Sequence, residues 1–169
     1  MLDNSVVYSI LIGIGLVGLL LYFYRSPKSK TENEKPETKS TGSASIQLQA
    51  YERLTLLVDR IAIPNLISRT NHEGLSARDM QLVLTRSIRD EFDYNITQQI
   101  YITPETWNAV KTLKEKNLLI INQVSAVLPP NASALDLNRA ILEYIMNDSK
   151  ADIHELVSEA LSYEAKKLL

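Results

Sequence analysis

The sequence predicts an all-α protein with one N-terminal transmembrane helix, a disordered linker and a compact bundle of about five helices. Three observations carry this. Residues 4–24 hold no charge. Residues 26–45 hold almost no apolar side chain. From residue 46 onward, apolar residues recur three and four apart, the spacing of one helix face, and no alternating run suggests a sheet. The 169 residues thus divide into an anchor (1–25), a linker (26–45) and a soluble helical domain (46–169). That last stretch is long enough to bury a core without disulfides or metals.

The anchor runs from Val6 to Tyr24, VVYSILIGIGLVGLLLYFY. About 20 helical residues cross a hydrocarbon layer of roughly 30 Å, and Asn4–Tyr24 supplies 21 without charge. Tyr22, Phe23 and Tyr24 sit at one end, where aromatic rings favour the headgroup zone. A cleaved signal peptide does not fit. Only Asp3 precedes the run as a charge, and no small-x-small cleavage site follows it. Arg25, Lys28 and Lys30 follow directly, with no Lys or Arg before them, so the positive-inside rule places the C-terminal domain in the cytoplasm. Gly13, Gly15 and Gly18, with the Ser9/Gly13 pair, leave a close-packing face, so a homo-oligomer stays open. Against this, glycine is common in membrane helices generally.

The linker, Ser26–Ser45, reads SPKSKTENEKPETKSTGSAS. It cannot bury enough apolar surface to offset the entropy of ordering, which predicts disorder. Four lysines against three glutamates make a poor patch for anionic lipid.

Five helices follow. Gln47–Ile61 carries a stripe at Ala50, Tyr51, Leu54, Leu57, Val58 and Ile61, and Pro64 ends it. Ile63–Gly74 reads as a connection with a short turn around Asn65–Ser68, its Leu66 and Ile67 plugging the core. Ser76 with Asp79 resembles a capping box, and Leu75 with Met80 a hydrophobic staple. This second helix is expected to reach about Gln99, with Met80, Val83, Leu84, Ile88, Phe92 and Ile96 inward. Thr103-Pro104 opens a third, with Ile102 and Trp107 in staple positions. Leu118–Ile121 is apolar nearly all round, which marks that helix as central, and Pro129-Pro130 stops it. Ser133 with Asp136 marks a fourth start, facing inward through Leu137, Ile141, Tyr144 and Ile145. Asp152 with Glu155 marks a fifth, with Ile153, Leu156, Val157, Ala160 and Leu161. No internal repeat of fixed period is evident.

Chemistry is harder to find. No cysteine is present, which excludes disulfides, thiolate nucleophiles and cysteine lipidation. Residues 46–169 hold 13 Lys and Arg against 16 Asp and Glu, with none of the basic excess that nucleic-acid binding shows. His72 and His154 lack metal-ligand spacing, and no phosphate-cradling glycine loop or nucleophile elbow occurs, so no catalytic residue, metal or cofactor is assigned. Asp90, Glu91 and Asp93 form an acidic cluster whose ordinary reading is a solvated helix face. Between Ala44 and Val110 every basic residue is arginine, from Arg53 to Arg89, with acids interleaved. Salt-bridged helix faces explain this pattern, and a patch for an anionic partner is the sharper alternative. Asn95-Ile96-Thr97 matches a glycosylation sequon, which carries no meaning on a cytoplasmic helix.

One constellation stands out. Tyr94, Asn95, Gln98, Gln99, Tyr101, Trp107 and Asn108 lie at the corner between the second and third helices. One reading is a satisfied polar cluster that fixes the interhelical angle. The other is a recognition patch with Tyr and Trp as rigid anchors.

The segments LQAYERLTLLVDRI (48–61), GLSARDMQLVLTRSIRDEFDYNITQQIYITPETWNAVKTLKEK (74–116) and LDLNRAILEYI (135–145) resemble an uncharacterised family of membrane-anchored proteins from Bacteroidota. The resemblance covers nearly the whole domain. It implies the same plan of anchor, linker and helical domain, and the inner membrane of a Gram-negative bacterium, but no activity and no site residues. The expected function is a membrane-tethered protein-interaction or scaffold module. The alternatives are an enzyme with an unrecognised site, or a helical domain that binds a lipid or small amphiphile in an apolar cavity.

Overall fold

The computed structural model describes residues 41–147 and 153–169. The anchor Val6–Tyr24 and the linker up to residue 40 lie outside the described residues. Among the described residues, no helix is long and apolar enough to cross a membrane. The described chain is all-helical: six α-helices and one 3-10 helix, with no strand. They are α1 (Thr41–Ile61), α2 (Ile63–Arg69), α3 (Ala77–Asn95), the 3-10 helix (Ile96–Ile100), α4 (Pro104–Val127), α5 (Ala134–Asn147) and α6 (His154–Lys166).

One core draws on every α-helix. Its fully buried side chains include Leu54, Leu57 and Ile61 from α1, Leu66 from α2, and Met80, Leu84 and Ile88 from α3. Leu113 and Ile121 come from α4, Leu137 and Ile141 from α5, and Leu161 from α6. Each such burial stabilises by about 1.5–3 kcal/mol. The predicted stripe of α1 is buried throughout. Elsewhere the inward faces are narrower than predicted: Val83, Ile96, Tyr144 and Leu156 are exposed. So is Leu119, although its neighbours Leu118, Ile120 and Ile121 are buried and α4 touches α1, α3, α5 and α6.

The first helix starts at Thr41, ahead of the expected Gln47, and takes in the last residues read as linker. The connection after it is a true helix, α2. Pro64 ends α1 and also sits in the first turn of α2, where a missing N–H costs nothing. Helix ends leave carbonyls without partners, and here side chains supply them. Asn65 Nδ2 donates to Asp59 O (3.1 Å), Arg69 Nη2 to Arg60 O (2.9 Å) and the Nδ2 of buried Asn117, from α4, to Ile61 O (2.7 Å).

Two helix–loop–helix units share one motif. Ser76-Ala77-Arg78-Asp79 opens α3 and Ser133-Ala134-Leu135-Asp136 opens α5, each as S-A-x-D. In both, the aspartate N–H donates to the serine hydroxyl oxygen (3.1 and 3.2 Å), and the serine N–H donates back to the carboxylate (3.3 and 2.9 Å). The loops pair as an antiparallel bridge: Ala77 N–H donates to Ala132 O (2.9 Å) and Ala134 N–H to Leu75 O (3.0 Å). The repeat that a fixed period does not reveal is therefore present at the scale of one cap. Gly74 just before the first box has φ +73°, the left-handed region glycine favours.

Helix α3 ends four residues short of Gln99, and the chain tightens into the 3-10 turn. Asn95 competes with the helix backbone: its Nδ2 donates to Glu91 O (2.9 Å). The fifth predicted start is displaced as well. Helix α6 begins at His154 with Ile153 in the cap position and no side-chain acceptor, and Asp152 lies outside the described residues.

Candidate functional site

Helices α1 and α3 run antiparallel. Arg53 lies over the Tyr94 ring at 5.5 Å, and Arg60, further along α1, reaches back to Glu91. Between them and α2 opens a groove of about 450 Å³, lined by Arg60, Arg69, Ser87, Asp90, Glu91 and Tyr94. Arg60 Nε donates to Glu91 Oε1 at 2.6 Å, and Arg69 Nη1 approaches the same oxygen at 3.5 Å. Arg69 is also held from behind by Arg60 O. Both guanidinium groups therefore already have partners within the domain.

Three of the six arginines between Ala44 and Val110 meet carboxylates, and two more meet other side chains. Arg60 and Arg69 meet Glu91, Arg86 pairs with Asp90 (3.5 Å), Arg78 meets Gln81 (3.1 Å) and Arg53 covers Tyr94. The groove holds two cations and two carboxylates, so its lining is balanced in charge. The acidic cluster divides likewise: Asp90 turns to Arg86 and Glu91 to Arg60 and Arg69, while Asp93 is exposed. Among the described residues, no group of three or more His, Cys, Asp or Glu is placed to hold a metal.

The corner residues separate by burial. Asn95, Gln98 and Trp107 are buried; Tyr94, Gln99, Tyr101 and Asn108 are exposed. The buried amides serve their own segment, Asn95 through Glu91 O and Gln98 through the Thr97 hydroxyl (3.2 Å). Between the two helices the contact is made by rings. Phe92 of α3 stacks on Trp107 of α4 with centroids 5.0 Å apart and planes at 28°, and Lys114 Nζ lies 4.3 Å over the Phe92 ring. Trp107 is thus a structural bolt. The exposed remainder is joined by Ile96 and Ile100, which the sequence reading did not include. Their missed signal is the change of helix type at Asn95, which turns Ile96 off the α3 stripe.

Two further concavities flank these features. One, of about 640 Å³, follows the outward face of α4 through Asn108, Lys111, Thr112, Glu115, Lys116 and Leu119. The other, of about 210 Å³, lies below the bridged loops near Gln81, Asn122 and Pro129. All three are open surface grooves.

No curated protein and no solved structure matches the chain. A family profile described as a family of unknown function, DUF7935, matches residues 3–168. That match spans nearly the whole sequence, and the chain belongs to this family.

Proposed function

We propose that the protein is a non-catalytic interaction module, held at a bacterial inner membrane by its N-terminal segment, with the helical domain on the cytoplasmic side and a protein as its partner. The uncharged run Asn4–Tyr24 and the basic residues just after it support the location. The family match spans residues 3–168 and so takes in the uncharged run together with the helical domain.

The observation that carries the partner class is the groove between α1, α2 and α3. It offers Arg and Tyr, the side-chain types that dominate protein contacts. Its arginines are already held by Glu91 and a backbone carbonyl, so little rotamer freedom remains to be lost on binding. Its mixed charges suit a partner segment that carries both signs.

A promiscuous biotin ligase fused to the C-terminus of the full chain, in the native host, tests this. Tyr94→Ala removes an exposed ring without touching the core. The expected result is a membrane-associated protein whose labelling falls several-fold in Tyr94→Ala while the unfolding midpoint stays unchanged. An identical labelled set from both chains contradicts the reading.

A further inference from the structure

We propose that the corner formed by the 3-10 turn, Ile96 to Tyr101, rests on the lipid–water interface of the membrane that holds the chain. The inference builds on the anchor reading above and adds a second, peripheral membrane contact made by the domain itself.

The turn gathers three exposed apolar or aromatic side chains within six residues. Ile100 is 73 % exposed, and Ile96 and Tyr101 are each about 40 % exposed (42 % and 40 %) on one continuous turn. The stretch Ile96–Thr103, ITQQIYIT, holds no charge. Isoleucine and tyrosine beside Thr and Gln hydroxyls and amides suit the interfacial zone, where apolar bodies bury shallowly and polar tips stay wet. Asp93 and Glu105 flank the turn, so the contact is apolar and does not depend on anionic lipid.

Position names the occupant. The antiparallel pairing of α1 and α3 brings the N-terminal part of α1 to the end of the domain that carries the 3-10 turn, and α1 touches that turn. The chain enters the domain at that end. Ile46, about half exposed (48 %), lies on the same face of α1 as Arg53, seven residues on, and adds a further exposed apolar side chain toward that end. Only residues 25–40 separate this entry from the uncharged run, a reach of at most roughly 55 Å. A surface confined so close needs little intrinsic affinity to stay seated.

The chain has no cysteine, so single cysteines can carry an environment-sensitive fluorophore without background. Full-length Val17→Cys, Ile100→Cys and Val127→Cys chains are reconstituted into phosphatidylcholine vesicles, with and without phosphatidylglycerol, and quenched by headgroup-level or deep spin-labelled lipid. Val127 is 81 % exposed at the far end of α4, roughly 36 Å from its start, and serves as the water-facing control. The expected result is deep quenching at position 17, headgroup-level quenching at position 100 in both lipids and at high salt, and none at 127. Water-like emission at 100 with deep quenching at 17 overturns the proposal and leaves the anchor intact. Water-like emission at 17 as well overturns the anchor reading with it. Shielding at 100 that appears only after adding cytosolic protein overturns the lipid contact in favour of a protein one.

Discussion

Asn117 is a polar residue in an apolar place. It is buried in α4, and its single long-range hydrogen bond closes the open end of α1 at Ile61 O. Leaving a buried carbonyl without its donor costs about 1–3 kcal/mol. Asn117→Ala should lower the domain's stability by that amount in urea unfolding, and an unchanged midpoint would show that water replaces the bond. Asp136 makes a different prediction. Hydrogen bonds from the Ser133 backbone N–H and then from its hydroxyl hold the Asp136 carboxyl below the usual carboxylate range, and Arg139 adds to this. A lowered folded pKa gives stability that is fully present above the unfolded value and is lost as pH falls through the folded one. The loss therefore begins below about pH 4. Asp136→Asn should flatten that part of the acid-unfolding curve, and an acid limb identical to that of the parent chain would contradict the assignment.

Three of the six helix starts were legible, because their physics is local. Ser76/Asp79, Ser133/Asp136 and Thr103-Pro104 each satisfy first-turn N–H groups from within four residues of sequence, and each cap forms as read. Helix ends were less legible, because their partners come from elsewhere. Helix α1 is closed by Asn117 and Arg69, which no local pattern announces. Helix α2 was hidden because Pro64 reads as a stop as readily as a start. The corner lock between Phe92 and Trp107 joins two helices and has no spacing rule. The loop before α3 offers its own test. A Cβ at Gly74 would meet nothing within 4 Å, so Gly74→Ala carries only the backbone cost of a positive φ, about 1–2 kcal/mol. Gly74→Asn should recover part of it, and equal stability of all three chains would place the loop in another conformation.

The domain closes on itself end to end. Helix α6 packs more extensively against α1 than any other pair of helices does, and its Val157 and Leu161 are buried in the shared core. Two such side chains are worth about 3–6 kcal/mol together, against a typical domain stability of about 5–15 kcal/mol. A chain ending at Asn147 should therefore lose its cooperative thermal transition by circular dichroism, and a native-like transition would show α6 to be an accessory. At this scale the sequence conveyed the all-helical character of the described residues and the core faces of most of their helices. It did not convey the groove, since Arg60, Arg69 and Glu91 come from three helices and meet only through the packing. The proposed role depends on where this domain works, and alkaline extraction of membranes from the native host, with a tag on the C-terminus, tests that most directly. The full chain should remain in the membrane pellet, and a chain lacking residues 4–24 should move to the supernatant. Recovery of the full chain in the supernatant would contradict a membrane-held module.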